Sequence, residues 1–517
     1  MEPLKKKLHN LMVFIIGTTA AGKTKLSLTI GEQFNGEIIS CDSMQIYKKV
    51  DIMTAKATQQ EQARCKHHLI DTLDLHEKNF NRNEYYFKSS KIAEDLKSQN
   101  KVPVIVGGTH YYIETLMFDQ KIVQTTDVNP NFTQEAENLN KYTSQQLYDK
   151  LLQLDPQLAK KTHPNNTKRV KQYLNIILQS DEQKPYSEKM ENYEKVPLRE
   201  NNCLVFWPRC SDRQTLREQQ LKRIREMVAE GGLQEALEII EELIGNKIKI
   251  NENTNIDQPL ENEVDLMQQG VLQSIGYKEF MPLYKYLKKN YNNDLSVFKQ
   301  DKLTELQEKD EKIKELIENC IQQLALDTIH MSKKQIQWIK HRIITNCDME
   351  TMKKRLFVFD FDQYTSENFN EKVVKPAVQI TQKYIELLQV NDVETALNNL
   401  SQEVDVQQYQ VKQSELDEIQ KHHFKKNVTE WQNYHCDVCD TDINGQHEYE
   451  IHMASKKHKK AEQHLEKIKK LDPNSEHYKA IMRKKEQKQK EKLTKQQQQQ
   501  QQNIDQENQT KANDQTQ

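Results

Sequence analysis

The sequence predicts an α/β protein: a parallel-sheet core, a helical domain inserted into it, then a small Cys/His module and a disordered tail. Three observations carry this prediction. Short apolar runs alternate with helical stretches from Leu11 to about Phe118, strand signals vanish and return at Cys203, and two cysteines and two histidines at metal-ligand spacing precede a Gln tract.

The elements follow in order. Met12 to Ile16 (MVFII) reads as a buried strand and Lys23 opens a helix; EIISCD, HHLID and VPVIVGG are further strands separated by helical stretches. Strands alternating with helices require right-handed crossovers and a parallel sheet. Between about Lys121 and Asn202 only helical periodicity is present, in SQQLYDKLLQLD and KRVKQYLNIILQ. Strand character returns at CLVFWP (Cys203 to Pro208), and helices run on through His341, broken by the polar loop NENTNIDQPLENE. Residues 346–425 hold an extended FVFDFDQY and helical runs near Ala377 and Val393, to which no separate core can be assigned. The expected organisation is a core at 1–125 and 203–345, a helical insertion at 126–202, an extension at 346–430, a Cys/His module at 431–465 and a charged, Gln-rich tail at 466–517.

Composition sets bounds. A chain of 517 residues with 36% hydrophobic content is too long for one core, and its polar excess sits mainly in the last hundred residues. Mean hydropathy is -0.92. A formal net charge of -2 excludes a general affinity for nucleic acid, so RNA contacts must be local; lysines cluster after about residue 420. Eight cysteines, with no secretory apolar region and no run of about eighteen apolar residues, point to a soluble protein of a reducing compartment. The first strand begins almost at once after Met1 to Asn10, which leaves little room for a transit peptide. Cytosol is the expected location, with mitochondrial or nuclear pools compatible.

Gly17-x4-Gly22-Lys23-Thr24 follows a strand and opens a helix, the context the Walker A pattern requires. Consecutive amides of Gly17, Thr18, Thr19, Ala20, Ala21 and Gly22 form an anion nest. The helix N-terminus adds positive charge, Lys23 neutralises phosphate oxygens and the Thr24 hydroxyl can ligate Mg2+. The fold class is therefore P-loop NTPase-like. In EIISCDSMQIYKKVDIMTAK, Asp42 ends a strand at the carboxyl edge of the sheet, where it can hold Mg2+ or accept a proton from a nucleophile; a helix cap or turn is the bland alternative. VPVIVGGTHYYIETL repeats the geometry, with Gly107-Gly108 and then the Thr109 hydroxyl at the switch into a helix.

GTTAAGKT, IISCDSMQIYKKVDIMTAK, HHLID and VPVIVGGTHYYIETL, in this order, resemble the tRNA dimethylallyltransferases, also called tRNA isopentenyltransferases. So do VLQSIGYKEF (Val271 to Phe280) and KKQIQWIKHR (Lys333 to Arg342). The likeness runs from about residue 11 to 345, and beyond it EKVVKPAVQITQKYI and the Cys/His module resemble the extension of eukaryotic members.

The resemblance implies an alkyl transfer. The adenine on the 3′ side of the anticodon is flipped out, and its exocyclic amine attacks dimethylallyl diphosphate with loss of pyrophosphate. By position, Asp42 would be the general base and Thr109 would assist near the reacting centre. Lys23, Thr24, the loop amides and Arg223, with Mg2+, would stabilise the leaving pyrophosphate. Ser43 and Gln45 match positions that recognise the target base. Lys168, Arg169, Lys333, Lys334, Gln335 and Trp338 would contact the tRNA, although a solvated basic face also explains the lysines around Trp338. The partners implied are the tRNA anticodon stem-loop and dimethylallyl diphosphate, with no membrane, and a monomer is the simplest expectation.

The sequence also departs from the family. Thr18 and Ala21 replace Pro and Ser in the loop, where mainly backbone acts. Gln172 and Gln219 stand where the family usually has arginine, and His330 with Met331 replaces an Arg-Tyr pair. Each of the latter removes a charge or an aromatic surface, with Lys168, Arg169 and Lys171 available to compensate.

Cys436-x2-Cys439-x12-His452-x5-His458 is the spacing of a C2H2 zinc finger, a tetrahedral N2S2 site for Zn2+; His447 reads as an exposed loop histidine. Lys456, Lys457, Lys459 and Lys460 beside His458 suit an RNA backbone, and a structural or protein-binding finger is the alternative. Phe206 and Trp207 read as core at a strand end rather than as a stacking platform. The competing readings of the whole chain are a P-loop small-molecule kinase and a noncatalytic RNA-binding protein that retains the fold.

Overall fold

The computed structural model describes residues 10–77, 80–119, 142–179, 197–291, 294–425, 433–439 and 441–469, with single positions 139, 185, 187 and 475. The chain divides into two compact units, residues 1–127 with 192–426, and residues 128–191 with 427–517. The tail expected at 466–517 lies outside the described residues except for 466–469 and 475.

The first unit is built on six parallel strands: β1 (Met12–Ile15), β2 (Gly36–Ser40), β3 (His67–His68), β4 (Val102–Val106), β5 (Cys203–Cys210) and β6 (Leu356–Phe361). Their spatial order is β3-β2-β4-β1-β5-β6, and β1 pairs with both β4 and β5, Ile15 lying opposite Val106 and Phe206. The continuous apolar runs are explained by burial on both faces. Alternate residues sort by pleat. Val13, Ile15, Val104, Leu204, Phe206, Phe357 and Phe359 face a layer containing Leu26 and Ile30 of helix Lys23–Gln33 and Ala377, Ile380 and Tyr384 of helix Lys375–Leu388. Met12, Phe14, Ile105, Val205, Trp207 and Val358 face Tyr85, Ala93 and Leu96 of helix Arg82–Ser98 and Ile113 and Leu116 of helix His110–Met117. Phe206 and Trp207 are core residues at 0% and 1% exposure, so neither can stack on a base.

The stretch FVFDFDQY therefore does more than extend the chain: β6 pairs with β5 over six residues and completes the sheet edge. A third core joins the 46–75 segment to helices Leu233–Ile244, Met281–Asn290 and the long helix Glu311–Trp338.

In the second unit, helices Ser144–Leu154, Pro156–Lys160 and Thr167–Gln179 bury Leu147, Leu151, Leu158, Val170, Leu174 and Ile177 together. Asp155 caps the short helix through the Leu158 N–H and also accepts bonds from the Ser187 N–H and hydroxyl. The Cys/His module is an antiparallel hairpin, β7 (Asn433–Cys436) and β8 (Thr441–Asn444), followed by helices Gln446–Ala454 and Lys456–Lys469. His447 thus falls in the first turn of a helix, not in a loop as the sequence reading had it. Among the described residues no helix is long and apolar enough to cross a membrane.

Candidate active site and metal centre

In the first unit, a cleft of about 1110 Å³ opens at the carboxyl ends of β1, β2 and β4. The loop from Thr19 to Thr24, Asp42, Ser43, Gln45, Thr109, Arg223 and Gln335 all line it.

The loop leaves β1 at Gly17, turns through Ala20 at φ 63 and Gly22 at φ 78, and enters helix Lys23–Gln33. Lys23 Nζ donates to the Thr18 carbonyl at 2.7 Å. Burial, with the Arg223 charge adding to it and Asp42 opposing, pulls the Lys23 ammonium down to about 8. Burial also lowers Arg223, against the pull of Asp42. Two cations and one carboxylate thus share a poorly hydrated space, an arrangement that favours a multiply charged anion.

Asp42 stands just past β2, and the Met44 N–H donates to its Oδ1 at 2.9 Å. Burial outweighs the neighbouring cations and raises the carboxyl above its ordinary value, which makes it a stronger base once ionised. Thr109 arrives from β4. Its Oγ1 accepts the Ser43 N–H at 3.0 Å and donates to Ser43 Oγ at 3.2 Å. Gly107 makes this meeting possible, because a Cβ there would stand 2.1 Å from the Cys41 carbonyl oxygen. The ends of β2 and β4 therefore close to backbone contact, the Thr109 N–H donating to that same carbonyl at 3.0 Å.

Several expected residues have partners within the protein. Gln45 donates through Nε2 to the Thr54 and Ala55 carbonyls, both at 3.2 Å, and accepts from Ser40 Oγ. Gln335, expected at a tRNA-facing position, lies in the cleft wall at 8% exposure. Its Oε1 accepts the Thr19 N–H and its Nε2 donates to the Gly108 carbonyl. Trp338 donates from Nε1 to Glu114 at 2.9 Å, edge-on to the exposed ring of Tyr111. Lys333 and Lys334 are exposed on the same long helix. In the second unit, Lys168 and Arg169 sit exposed on helix Thr167–Gln179, with Arg169 Nε donating to the Tyr173 hydroxyl. Of the residues that depart from the family pattern, Gln219 and Met331 line the cleft and His330 is exposed.

Other contributors escaped the sequence reading. Gly17 donates its N–H to His110 Nε2 at 3.2 Å, so the imidazole proton is assigned to Nδ1; burial and the Lys23 charge hold this histidine neutral, at about 3. Lys56, buried, donates to the Tyr47 carbonyl, Asp51 and Asp71, and the Glu235 carboxylate accepts the N–H groups of Asp51, Ile52 and Met53 at 2.8 to 2.9 Å. Together they fix the DIMTAK segment along the cleft. Phe369, from the chain beyond β6, packs against Gly22, with Lys25 Nζ 5.4 Å from its ring centroid. A buried stripe at Leu324, Thr328, Ser332, Gln335 and Ile339 was the available signal for Gln335, because polar residues on an otherwise buried helix face need protein partners.

In the finger, the ligating atoms of Cys436, Cys439, His452 and His458 all lie within 4.8 Å of one another. Cys436 Sγ, Cys439 Sγ and His452 Nε2 stand 3.4, 3.6 and 3.2 Å from His458 Nδ1. A tetrahedral zinc ion with thiolate and imidazole bonds of about 2.0–2.3 Å needs donor separations of this size. The donor set fits Zn2+.

Comparison with known proteins agrees with both sites. The profile of the family described as IPP transferase matches residues 45–342, and a zinc-finger profile of C2H2 type matches residues 434–458. The chain is 31% identical over 367 residues to a tRNA dimethylallyltransferase of Thermoanaerobacter sp. strain X514, covering 70% of this chain and 96% of that protein. It is 28% identical to the mouse tRNA dimethylallyltransferase, over 86% of this chain and 85% of the relative. The yeast (Saccharomyces cerevisiae) tRNA dimethylallyltransferase is 27% identical, over 88% and 94%. A crystal structure of a eukaryotic dimethylallyltransferase acting on tRNA superposes with a TM-score of 0.65 at 24% identity, covering 88% of this chain and 97% of that one, and so shares the fold.

Proposed function

This chain belongs to the IPP transferase family, and on that premise we propose that it acts as a tRNA dimethylallyltransferase. The dimethylallyl group passes from its diphosphate to the exocyclic amine of the adenine 3′-adjacent to the anticodon. The carbon–nitrogen bond forms as the carbon–oxygen bond to the diphosphate breaks, the bonding pair leaves with pyrophosphate, and the amine loses a proton.

The observation that carries this reading is the convergence, in one cleft, of a phosphate loop, a half-buried carboxylate and a threonine hydroxyl delivered by three strand ends. Asp42 Oδ2 is the proton acceptor in this reading; Oδ1 is already engaged by Met44, which fixes the carboxylate plane. Thr109 and Ser43, bonded to each other beside Asp42, orient the incoming base. Lys23 and Arg223 face the developing charge on the leaving group, where preorganised cations stabilise the transition state more than the ground state. The Thr24 hydroxyl, lining the cleft at the start of its helix, is an oxygen donor suited to a hard divalent ion, and Mg2+ held there with the diphosphate oxygens would supply further charge neutralisation. Exposed Lys333, Lys334, Lys168, Arg169 and the finger lysines supply cations for the tRNA backbone.

The test mixes the protein, Mg2+ and dimethylallyl diphosphate with an anticodon stem-loop bearing adenines beside the anticodon, and detects isopentenyladenosine by mass spectrometry. Asp42→Asn should lower the rate by about 10²–10⁴-fold, the range for loss of a general base, with stem-loop binding retained. A wild-type rate from Asp42→Asn would refute the base assignment. Binding without product in the wild type would favour the noncatalytic RNA-binding reading.

A further inference from the structure

Glu235 does not line the cleft, yet it grips one of its walls. It lies in the first turn of helix Leu233–Ile244, and its carboxylate accepts three consecutive backbone N–H groups: Asp51 and Ile52 donate to Oε2, both at 2.8 Å, and Met53 donates to Oε1 at 2.9 Å. Residues 51–58, which those amides begin, form a continuous strip of the cleft lining. The next two carbonyls, of Thr54 and Ala55, accept from Nε2 of Gln45. We propose that Glu235 is a positioning residue for recognition of the target base, acting on substrate only through residues 51–55 and the Gln45 amide that they orient. This rests on the transferase reading of the cleft, in which the adenine amine approaches Asp42 and its neighbours Ser43 and Gln45.

Residues 51–57 belong to no strand or helix, so side-chain clamps decide where they lie. Met53 supplies one clamp. It seats in a slot that two glycines leave open: a Cβ at Gly232 would stand 2.8 Å from its Sδ, and one at Gly276 would stand 2.5 Å from its Cε. Gly232 immediately precedes the helix that carries Glu235, so slot and carboxylate share one rigid base. Glu235 supplies the second clamp, and only a carboxylate offers two oxygens able to accept three N–H groups; a glutamine would turn a donor toward at least one of them. The position of Thr54 and Ala55 then sets the plane of the Gln45 amide. With Nε2 directed at those two carbonyls, Oε1, which also takes the Ser40 hydroxyl at 3.2 Å, is the polar group that Gln45 presents to the cleft. An acceptor held in a fixed plane suits an amine donor arriving from one direction. Lys56, bonded to the Tyr47 carbonyl, Asp51 and Asp71, still anchors the segment when Glu235 is altered. Loss of Glu235 therefore shifts this wall rather than unfolding it.

The experiment is a double-variant cycle on the full-length chain, reading kcat and KM for the stem-loop at saturating dimethylallyl diphosphate and Mg2+. Gln45→Ala and Glu235→Gln should each lower kcat/KM about tenfold, mainly by raising KM, and the double variant should fall no more than about threefold below Gln45→Ala. A merely structural fault lowers the active fraction, which would cut kcat and leave KM alone. Glu235→Asp, which keeps the charge but withdraws it by one methylene, is the second variant should the glutamine chain unfold, and it should show the same rise in KM. Independent losses that multiply to about a hundredfold in the double variant overturn the proposal, as do a fall in kcat at unchanged KM or wild-type kinetics from folded Glu235 variants. Wild-type kinetics from Gln45→Ala overturn it while the transferase reading stands. Absence of product from the wild type overturns both.

Discussion

Lys23 gives the most direct test of the electrostatics. Its ammonium is brought from an ordinary 10.5 to about 8 by burial and by the Arg223 charge. Only the protonated form can neutralise a leaving pyrophosphate. Activity of the free enzyme, read as kcat/KM for dimethylallyl diphosphate, should therefore fall on the alkaline side with a midpoint near pH 8. At one unit above that midpoint about one molecule in ten keeps the charge, so kcat/KM should drop about tenfold by pH 9. On the acid side the sign is opposite: Asp42 must be ionised to act as base, and its raised value places the rising limb above that of an ordinary aspartate. Bound diphosphate brings negative charge to Lys23 and raises its pKa, so the alkaline limb of kcat should lie at higher pH than that of kcat/KM. Initial rates on a stem-loop substrate from pH 5 to 10 measure all three. Lys23→Arg keeps a charge that does not titrate in this range, so its alkaline limb should disappear while its plateau falls. Arg223→Gln removes one cause of the depression and should move the limb upward. A wild-type kcat/KM that is flat to pH 9.5, or an unchanged limb in Lys23→Arg, would refute the assignment.

Gly22→Ala places a methyl 2.4 Å from the Phe369 ring at a φ of 78, so it should lose diphosphate binding and thermal stability; Phe369→Ala should cost about 3 kcal/mol by itself. The double variant should be more stable than the sum of the two singles, because the clash is shared, and additive melting temperatures would count against that packing. Cys436→Ser or a strong chelator should remove one zinc per chain, measured by atomic emission, and weaken stem-loop binding with a shallower salt dependence, while pyrophosphate binding is unchanged. Retention of zinc by Cys436→Ser would rule out the four-residue site. A chain ending at residue 426 keeps every strand of the six-stranded sheet and should still bind pyrophosphate, whereas one ending at 345 loses β6 and should fail to fold. The second truncation exposes core partners of Leu356, Phe357, Phe359, Phe361, Phe369, Ile380, Tyr384, Leu388, Leu397 and Leu400, each worth about 1.5–3 kcal/mol against a total stability of about 5–15 kcal/mol.

The sheet was legible wherever a strand carried its own signal. MVFII, EIIS and VPVIV are uninterrupted apolar runs because both sides of a parallel sheet are covered, and the glycine loop, Asp42 and Thr109 follow them at the carboxyl edge where ligands bind. The finger was legible for a similar reason, since four ligands at fixed spacing constrain the metal geometry with little help from the rest of the chain. His447 was misplaced because a histidine near a turn gives no sign of where the helix begins, and the helix starts one residue before it.

What stayed hidden depends on partners far away in sequence. FVFDFDQY reads as extended, yet nothing local says that Phe357 will lie opposite Phe206, about 150 residues earlier, or that Phe369 will cover a glycine near the start of the chain. Gln335 was assigned by its neighbours in sequence, the basic residues of KKQIQWIKHR, although at about 100° per residue Lys333 falls on the far side of the helix and Lys334 about a quarter-turn round, both exposed while Gln335 is buried. At 3.6 residues per turn, Thr328, Ser332, Gln335 and Ile339 form one stripe, and that stripe is buried. One helix therefore presents lysines outward and an amide inward to the phosphate loop. The face of each residue, rather than its place in the motif, decides which substrate it can meet.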